Sequence, residues 1–352
     1  MTMSSKKSPE AKAVLRAFRT ASERPMALLQ QCPVYKPTPL YEHAELASHF
    51  GVAQLIIKDE SHRMRLGSFK ALGGAFAVAQ MISDVAGTSD LESEVARRQA
   101  EKMTFITASA GNHGLSVAAG ARIFGAHAVI YLAAAVPEEF ANRIRVLDAK
   151  VVRTSGSYED SVKAAMDAAN ENGWLLLADG SWEGYTERPA LVMEGYTVLA
   201  EECRNEFVKT GHWPTHVFLQ AGVGGLAAAV AGHIRDYWTE QPEIFIVEPE
   251  AAPCLMMSVR NKQLTRVEGP ESNMGRLDCK DASLIAFQSL KHDANGFLQV
   301  SDVAAVAAVD MLAHHHIHTT PSGAATTAAL ENLSLPPDSR CLIFITEGPE
   351  AG

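Results

Sequence analysis

The sequence predicts an α/β protein of two doubly wound domains. Three observations carry this. Short apolar runs rich in β-branched residues alternate with helical stretches, the pattern of parallel β-α-β units covered on both faces. Glycine-rich or polar turns close several of these runs, where open α/β sheets bind their ligands. The 352 residues exceed what one ordinary core holds. Residues 1–60 and 190–352 are expected to form the large domain and residues 61–189 the small one.

The elements follow in order. Ser8 to Ser22 has the helical spacing of a surface or docking helix. Lys36 to Leu40 (KPTPL) breaks any helix, because Pro37 and Pro39 lack the donor a helix needs. Gln54 to Asp59 is a strand. Ser68 to Met81 is a helix with Ser68 placed as its N-cap. Met103 to Ser109, His127 to Ala133, Lys150 to Gly156 and Trp174 to Gly180 are strands. Between them lie helices over His113 to Gly125, Pro137 to Ala149 and Tyr158 to Gly173. The first of these is closed by glycine, and the second has proline and acids in its first turn. A second series follows: helix Leu191 to Cys203, strand Thr215 to Gly222, helix Gly224 to Trp238 and strand Glu243 to Pro249. Gln263 to Asn295 reads as irregular and loop-rich. Ser301 to His316 and Ser322 to Leu333 are helices, and Cys341 to Gly348 is the last strand.

Composition removes several function classes. The formal net charge of −10 argues against a nucleic-acid partner. No uncharged apolar run approaches the ~20 residues that span a bilayer. The start, MTMSSKKSPE, has no apolar core of a signal peptide, so a cytoplasmic protein is expected. Cys32, Cys203, Cys254, Cys279 and Cys341 are odd in number and unclustered, which suggests neither a disulfide framework nor a zinc site. His314, His315, His316 and His318 invite a metal reading, but consecutive helical residues point in different directions. No metal is expected.

The chemistry gathers at three segments. GSFKALGG (Gly67 to Gly74) sets Lys70 among small and apolar residues in the first turn of a helix. Burial and the helix dipole both lower a lysine pKa, which suits an amine that attacks a carbonyl. The alternative is a lysine that snorkels from an apolar face. ASAGNHG (Ala108 to Gly114) is a strand-to-helix turn whose free N–H groups bind an anion, or an ordinary loop. Within it His113 reads as structural. QAGVGGLAA (Gln220 to Ala228) lets the backbone approach a phosphate. Its rival reading is a dinucleotide fingerprint over Gly222 to Ala227, with Glu248 at the distance for a ribose and a nicotinamide-dependent oxidoreductase as the implied function. Arg63 and Arg65 precede Lys70 and face either a phosphate, a substrate carboxylate or solvent.

Together these segments resemble the fold-type II pyridoxal-phosphate enzymes, which share the tryptophan synthase β-like fold and include threonine and serine dehydratases, cysteine synthase and diaminopropionate ammonia-lyase. The resemblance runs from KPTPL through TEG (Thr346 to Gly348). It is closest to the diaminopropionate ammonia-lyase branch, in IIKDESHRMRLGSFKALGGAFAVAQ, EKMTF, GNHG, WEGYT, PTHVFLQAGVG, IVEP and TEG in that order. It implies a cofactor, pyridoxal 5′-phosphate, held on the amine of Lys70, which later serves as the base at the substrate Cα. Phe69 would pack beside the ring and Asn112 would bond its O3′. The backbone of Gly222, Val223, Gly224, Gly225 and Leu226 would cradle the phosphate. Thr346 would face the ring nitrogen. Ser109, Ala110 and Gly111 would hold the carboxylate of a small amino-acid substrate. A homodimer is the family's common habit.

Two departures stand out. In diaminopropionate ammonia-lyases an aspartate typically precedes GNHG, and here the residue is Ala110, as in the threonine dehydratase loop. Alanine is no base and binds no ammonium. This shifts the expected substrate to a β-hydroxy L-amino acid, first phenylserine and then threonine or serine, with a keto acid and ammonia as products. A 2,3-diaminopropionate ammonia-lyase is the alternative within the family. Asp179 is retained and is expected at the leaving group, or as a strand-end cap. Second, Thr320-Pro321-Ser322-Gly323 lacks the glutamate that often stands there. SNMGRLDC (Ser272 to Cys279) resembles a pocket-lining segment whose role the sequence leaves open.

Overall fold

A computed structural model describes residues 16–349 apart from Pro33 and Ala110. In chain order the elements are α1 (Glu23–Leu29), β1 (Leu40–Glu42), α2 (Ala44–His49), β2 (Gln54–Asp59), α3 (Lys70–Ala86) and α4 (Glu94–Ala100). Next come β3 (Thr104–Ala108), α5 (Asn112–Phe124), β4 (His127–Leu132), α6 (Glu138–Arg145), β5 (Lys150–Arg153), α7 (Tyr158–Asn172) and β6 (Leu175–Leu176). The chain continues with α8 (Glu187–Thr210), β7 (His216–Gln220), α9 (Gly225–Tyr237), β8 (Glu243–Pro249), α10 (Cys254–Asn261) and α11 (Leu284–Asp293). It ends with β9 (Gly296–Val300), α12 (Asp302–His314), α13 (Pro321–Glu331) and β10 (Arg340–Ile345).

The strands form two sheets, β1-β2-β10-β7-β8-β9 and β5-β4-β3-β6. Apart from the antiparallel edge β1–β2, every strand pairing is parallel. Parallel sheets need cover on both faces, and the strands are accordingly apolar throughout: Val217, Phe218 and Leu219 of β7 and Cys341 to Ile345 of β10 are fully buried. Local signals set the helix limits. Ser157 and Asp160 form a capping box at α7, and Gly87, Gly125, Gly173 and Gly211 end α3, α5, α7 and α8 with left-handed backbone.

Three sequence expectations need correction. Residues 16–22 are not helical, and the remainder of the expected Ser8–Ser22 helix lies outside the described residues. This segment docks through polar bonds instead: Arg16 pairs with Asp236 and Asp293 at 2.7 Å each, and His233 Nδ1 lies 2.8 Å from Thr20 O. Within the stretch read as loop-rich stands α11, whose Ile285, Ala286 and Leu290 are buried against α9. The strand read from Trp174 to Gly180 shortens to the two residues of β6.

Candidate active site

Each sheet contains a point where strand order reverses. In the smaller sheet the chain runs outward from β3 to β4 and β5, then returns to β6 on the other side of β3. In the larger sheet it runs from β7 to β8 and β9, then returns to β10 on the other side of β7. Connections diverge at such points and leave a crevice at the carboxyl ends of the strands. Four turns follow those ends: Ser109 to Gly111, Asp179-Gly180, Gly222 to Gly224, and Thr346-Glu347. They meet. A Cβ placed on Gly180 would lie 3.9 Å from Val223 Cγ1, and one on Gly225 would lie 3.7 Å from Asp179 O. Asn112 Nδ2 donates to the Glu347 carboxylate.

Lys70 opens α3, which is wedged between α5 and α8. The wedge explains both glycines of GSFKALGG. A Cβ on Gly73 would strike the Tyr196 ring and come within 2.7 Å of Val192 O, while one on Gly74 would lie 2.9 Å from Ser116 Cβ. Tight contact on both sides fixes the lysine. Its Nζ is ion-paired with Asp179, and the two side chains are 22% and 24% exposed. Burial pulls the lysine pKa down most strongly of any single influence, but the Asp179 charge and hydrogen bond together with the nearby Tyr196 outweigh it and hold Lys70 above its ordinary value. Burial likewise opposes ionisation of Asp179, and Lys70 and then His113 overcome it, keeping the carboxyl well below the usual range. The expected lowering of the Lys70 pKa is therefore reversed here, because a counter-charge 109 residues away in sequence stands beside the amine.

Around this pair, the Lys70 Nζ lies 5.6 Å from the Phe69 ring centroid. Phe69 stands edge-on to Tyr196 at 4.9 Å. Tyr196 is buried, and its Oη has no hydrogen-bond partner among the described residues. Cys279 closes the far side. Burial first, and then Asp179, push its thiol up to about 12. A Cβ on Gly222 would lie 2.9 Å from its Sγ. Gly224 has φ +99°, a conformation that side chains resist, and caps α9 with no side-chain bond. The first N–H groups of α9, from Gly225 and Leu226 on, therefore have no capping side chain and could face an anion. At the end of β10, buried Thr346 Oγ1 accepts from Gln220 Nε2 at 3.2 Å. The Gln220 Oε1 has no partner among the described residues.

The loop residues expected to hold the substrate carboxylate are placed in part. Ala110 lies outside the described residues. Ser109 Oγ accepts the N–H groups of Gly111 at 3.2 Å and Gly114 at 3.0 Å, so the hydroxyl staples its own turn and leaves backbone groups to face a ligand. His113 is buried, its Nε2 lies 2.8 Å from Leu177 O, and burial lowers its pKa. Sequence reasoning missed Tyr196, which sits mid-helix with no motif. It also gave no role to Glu347 or Arg276. Glu347 is buried and accepts from Asn112 Nδ2 and Thr320 Oγ1, with Arg276 Nε 3.9 Å away. The TEG and SNMGRLDC segments were the available signals.

Two arginine expectations separate. Arg63 is fully buried and meets neither phosphate nor solvent, because Glu60 and Glu202 hold its guanidinium at 2.6 to 2.8 Å. Arg65 is exposed. The dinucleotide reading fails on Glu248. This carboxylate is fully buried and accepts the Leu255 and Met256 N–H groups at 2.7 and 2.8 Å, so it caps α10 and offers a ribose nothing.

The pyridoxal-phosphate dependent enzyme family model matches residues 32–347. The chain belongs to this family. Diaminopropionate ammonia-lyase of Escherichia coli (strain K12) is 34% identical over 343 residues, 91% of this chain and 86% of its own. The crystal structure of the Escherichia coli enzyme in complex with an aminoacrylate-PLP azomethine reaction intermediate superposes with a TM-score of 0.84, at 33% identity, over 93% of this chain and 88% of that one. A probable D-serine dehydratase of Acidovorax ebreus is 27% identical over 65% of this chain and 53% of its own. The protein is a fold-type II lyase of the ammonia-lyase and dehydratase group, and its cofactor is pyridoxal phosphate. The residues fit that group. A glycine-capped helix end suits a phosphate, an amine in a tight wedge suits an aldehyde, and aromatic walls and a strand-end hydroxyl suit the ring. No described helix is long and apolar enough to cross a membrane.

Proposed function

We propose that this enzyme eliminates the β-hydroxyl of a β-hydroxy L-amino acid and releases ammonia and a 2-keto acid. The observation that carries the reading is the Lys70–Asp179 pair at the focus of four strand-end turns. Lys70 Nζ would hold pyridoxal phosphate, the Gly222 to Leu226 backbone its phosphate, Asn112 its O3′, Phe69 one flank of its ring and Thr346 its ring nitrogen. Once bound, the cofactor supplies an electron sink for the Cα–H bond. Lys70 Nζ takes the proton from Cα. Asp179, kept as a carboxylate by its neighbours, orients that amine and stabilises its protonated form between steps. The backbone around Ser109 and Gly111, at the N-terminus of α5, binds the substrate carboxylate. With alanine at position 110, no carboxylate of that loop is available for a second ammonium.

The second reading, 2,3-diaminopropionate ammonia-lyase, is favoured by the 34% identity to the Escherichia coli enzyme. One panel separates them: ammonia and keto acid released from L-threo-phenylserine, L-threonine, L-serine and both isomers of 2,3-diaminopropionate. The hydroxy reading expects turnover of hydroxy substrates. A preference for diaminopropionate contradicts it and means that Ala110 is a neutral variation.

A further inference from the structure

Tyr196 stands in the middle of α8, and its ring fills the space left by two glycines of neighbouring helices. A Cβ on Gly73, three residues after Lys70, would lie 2.4 Å from Cε1 and 2.7 Å from Cζ. A Cβ on Gly225, the first residue of α9, would lie 3.9 Å from Cε2 on the other edge of the ring. The Phe69 ring is 4.9 Å away and edge-on. The side chain therefore joins the first turn of the Lys70 helix to the first turn of α9.

This phenol is in want of an acceptor. The residue is 2% exposed, and no described group accepts a hydrogen bond from its Oη. Burial pushes the phenol above the ordinary tyrosine range, so the oxygen keeps its proton and has to donate it. Lys70 is near enough to pull against that rise, but an ammonium carries three donors and no acceptor. Asp179 is engaged by Lys70. A buried donor in that position is costly to the protein, and such groups are rare without a reason. Beside it, Gly224 caps α9 with no side-chain bond, so the first N–H groups of that helix also lack a side-chain acceptor. Donors of two independent kinds, one phenolic and one from a helix end, thus lie at one place. A phosphate monoester has enough charged oxygens to accept from both.

We propose that Tyr196 is a cofactor-binding residue whose Oη donates to the phosphate of pyridoxal phosphate and ties the phosphate cradle to the helix that carries Lys70. The inference rests on the assignment of the Gly222 to Leu226 backbone to that phosphate, made above. It adds one side-chain donor to a cradle otherwise built of backbone. It also means that the hydroxyl destabilises the cofactor-free chain and stabilises the loaded one.

The test compares the wild type with Tyr196→Phe, which keeps the ring against Gly73 and removes only the oxygen. The cofactor-free full chain is titrated with pyridoxal phosphate and with pyridoxal, which has the same ring and aldehyde but no phosphate. Urea unfolding is then followed for the cofactor-free and loaded forms. In Tyr196→Phe the preference for pyridoxal phosphate over pyridoxal should fall about 10- to 100-fold, the usual worth of a hydrogen bond to a charged group, with the affinity for pyridoxal unchanged within about two-fold. The cofactor-free variant should be as stable as its wild type or more so, while the loaded variant should unfold at lower urea than the loaded wild type. An equal loss on both ligands overturns the proposal, because the hydroxyl then serves the ring or Lys70. A cofactor-free variant less stable than its wild type also overturns it, because the protein itself then satisfies the hydroxyl. A wild type with no preference for the phosphate-bearing ligand removes the cradle assignment and this proposal together. A wild-type preference that Tyr196→Phe retains in full removes the role of Tyr196 alone. No amino-acid substrate enters the test, so its outcome is separate from whether hydroxy or diamino compounds turn over.

Discussion

Replacing Gly195 by alanine should disturb the active site through the face of α8 that packs on α3. A Cβ at this position would lie 2.6 Å from Leu72 O and 2.8 Å from Gly73 Cα, both backbone atoms of α3. Neither can swing aside as a flexible side chain can. Ordinary contact begins near 3.4 Å, so the helices must part by about 0.8 Å. Overpacking of this kind typically costs 1–3 kcal/mol, and the absence of any yielding atom places Gly195→Ala at roughly 2–3 kcal/mol. The displaced helix is the one that Lys70 opens, and a misplacement approaching 1 Å can cost about 100-fold in rate. Urea unfolding of the holoenzyme gives the first quantity and turnover of the best panel substrate the second. The expected result is a lower unfolding midpoint at unchanged m-value, with kcat reduced about 10- to 100-fold. A variant with wild-type stability and wild-type kcat would refute the idea that the α3–α8 contact sets the position of Lys70.

Other perturbations separate the site from its frame. Asp179→Asn should lower kcat by about 100-fold, in the range of a lost proton-handling group, and leave cofactor affinity within a few-fold, as measured by turnover and by titration with pyridoxal phosphate. Both side chains are partly exposed, so the stability cost of that change should stay near 1 kcal/mol. Glu202→Gln breaks a buried network in which one carboxylate serves Lys58, Arg63 and Tyr35, and should cost about 3–5 kcal/mol by thermal or urea unfolding. Glu248 gives a pH signature. Burial, only partly offset by the Leu255 and Met256 N–H groups, pushes its carboxyl up to about 7. A raised folded-state pKa means that its stabilising contribution is complete below about pH 4.5 and is lost as pH rises through 7. The wild type should therefore lose roughly 3 kcal/mol relative to Glu248→Gln between pH 4.5 and 8, read as the difference in unfolding free energy, and equal slopes for the two proteins would contradict the assignment.

What the sequence showed and what it hid follow from range. Lys70, Asn112, the Gly222 to Gly225 turn and Thr346, the proposed site residues, stand in motifs that are contiguous in sequence, so the sequence could single them out. The two glycines after Lys70 marked a close approach without naming its partners, which are Tyr196 and Ser116. The direction of the Lys70 pKa was read wrongly because Asp179 is local only in space. The match of Gly222 to Ala227 to a dinucleotide fingerprint was genuine as a pattern. It failed on Glu248, whose burial under α10 no spacing reveals. Arg276 and Glu347 lie in the SNMGRLDC and TEG segments, whose family likeness marked the segments but assigned these two residues no role. Edge strands β1 and β9 were overlooked for a related reason, since β1 is three residues long and β9 begins with glycine and carries an exposed Gln299.

The central claim is that Lys70 holds the cofactor. Borohydride reduction of the holoenzyme, followed by proteolysis and peptide mass measurement, tests it most directly. Reduction should leave the added mass of reduced pyridoxal phosphate on the peptide containing Lys70 and on no other. The same mass on a different lysine, or an unmodified Lys70 peptide from a protein that retains its cofactor, would contradict it.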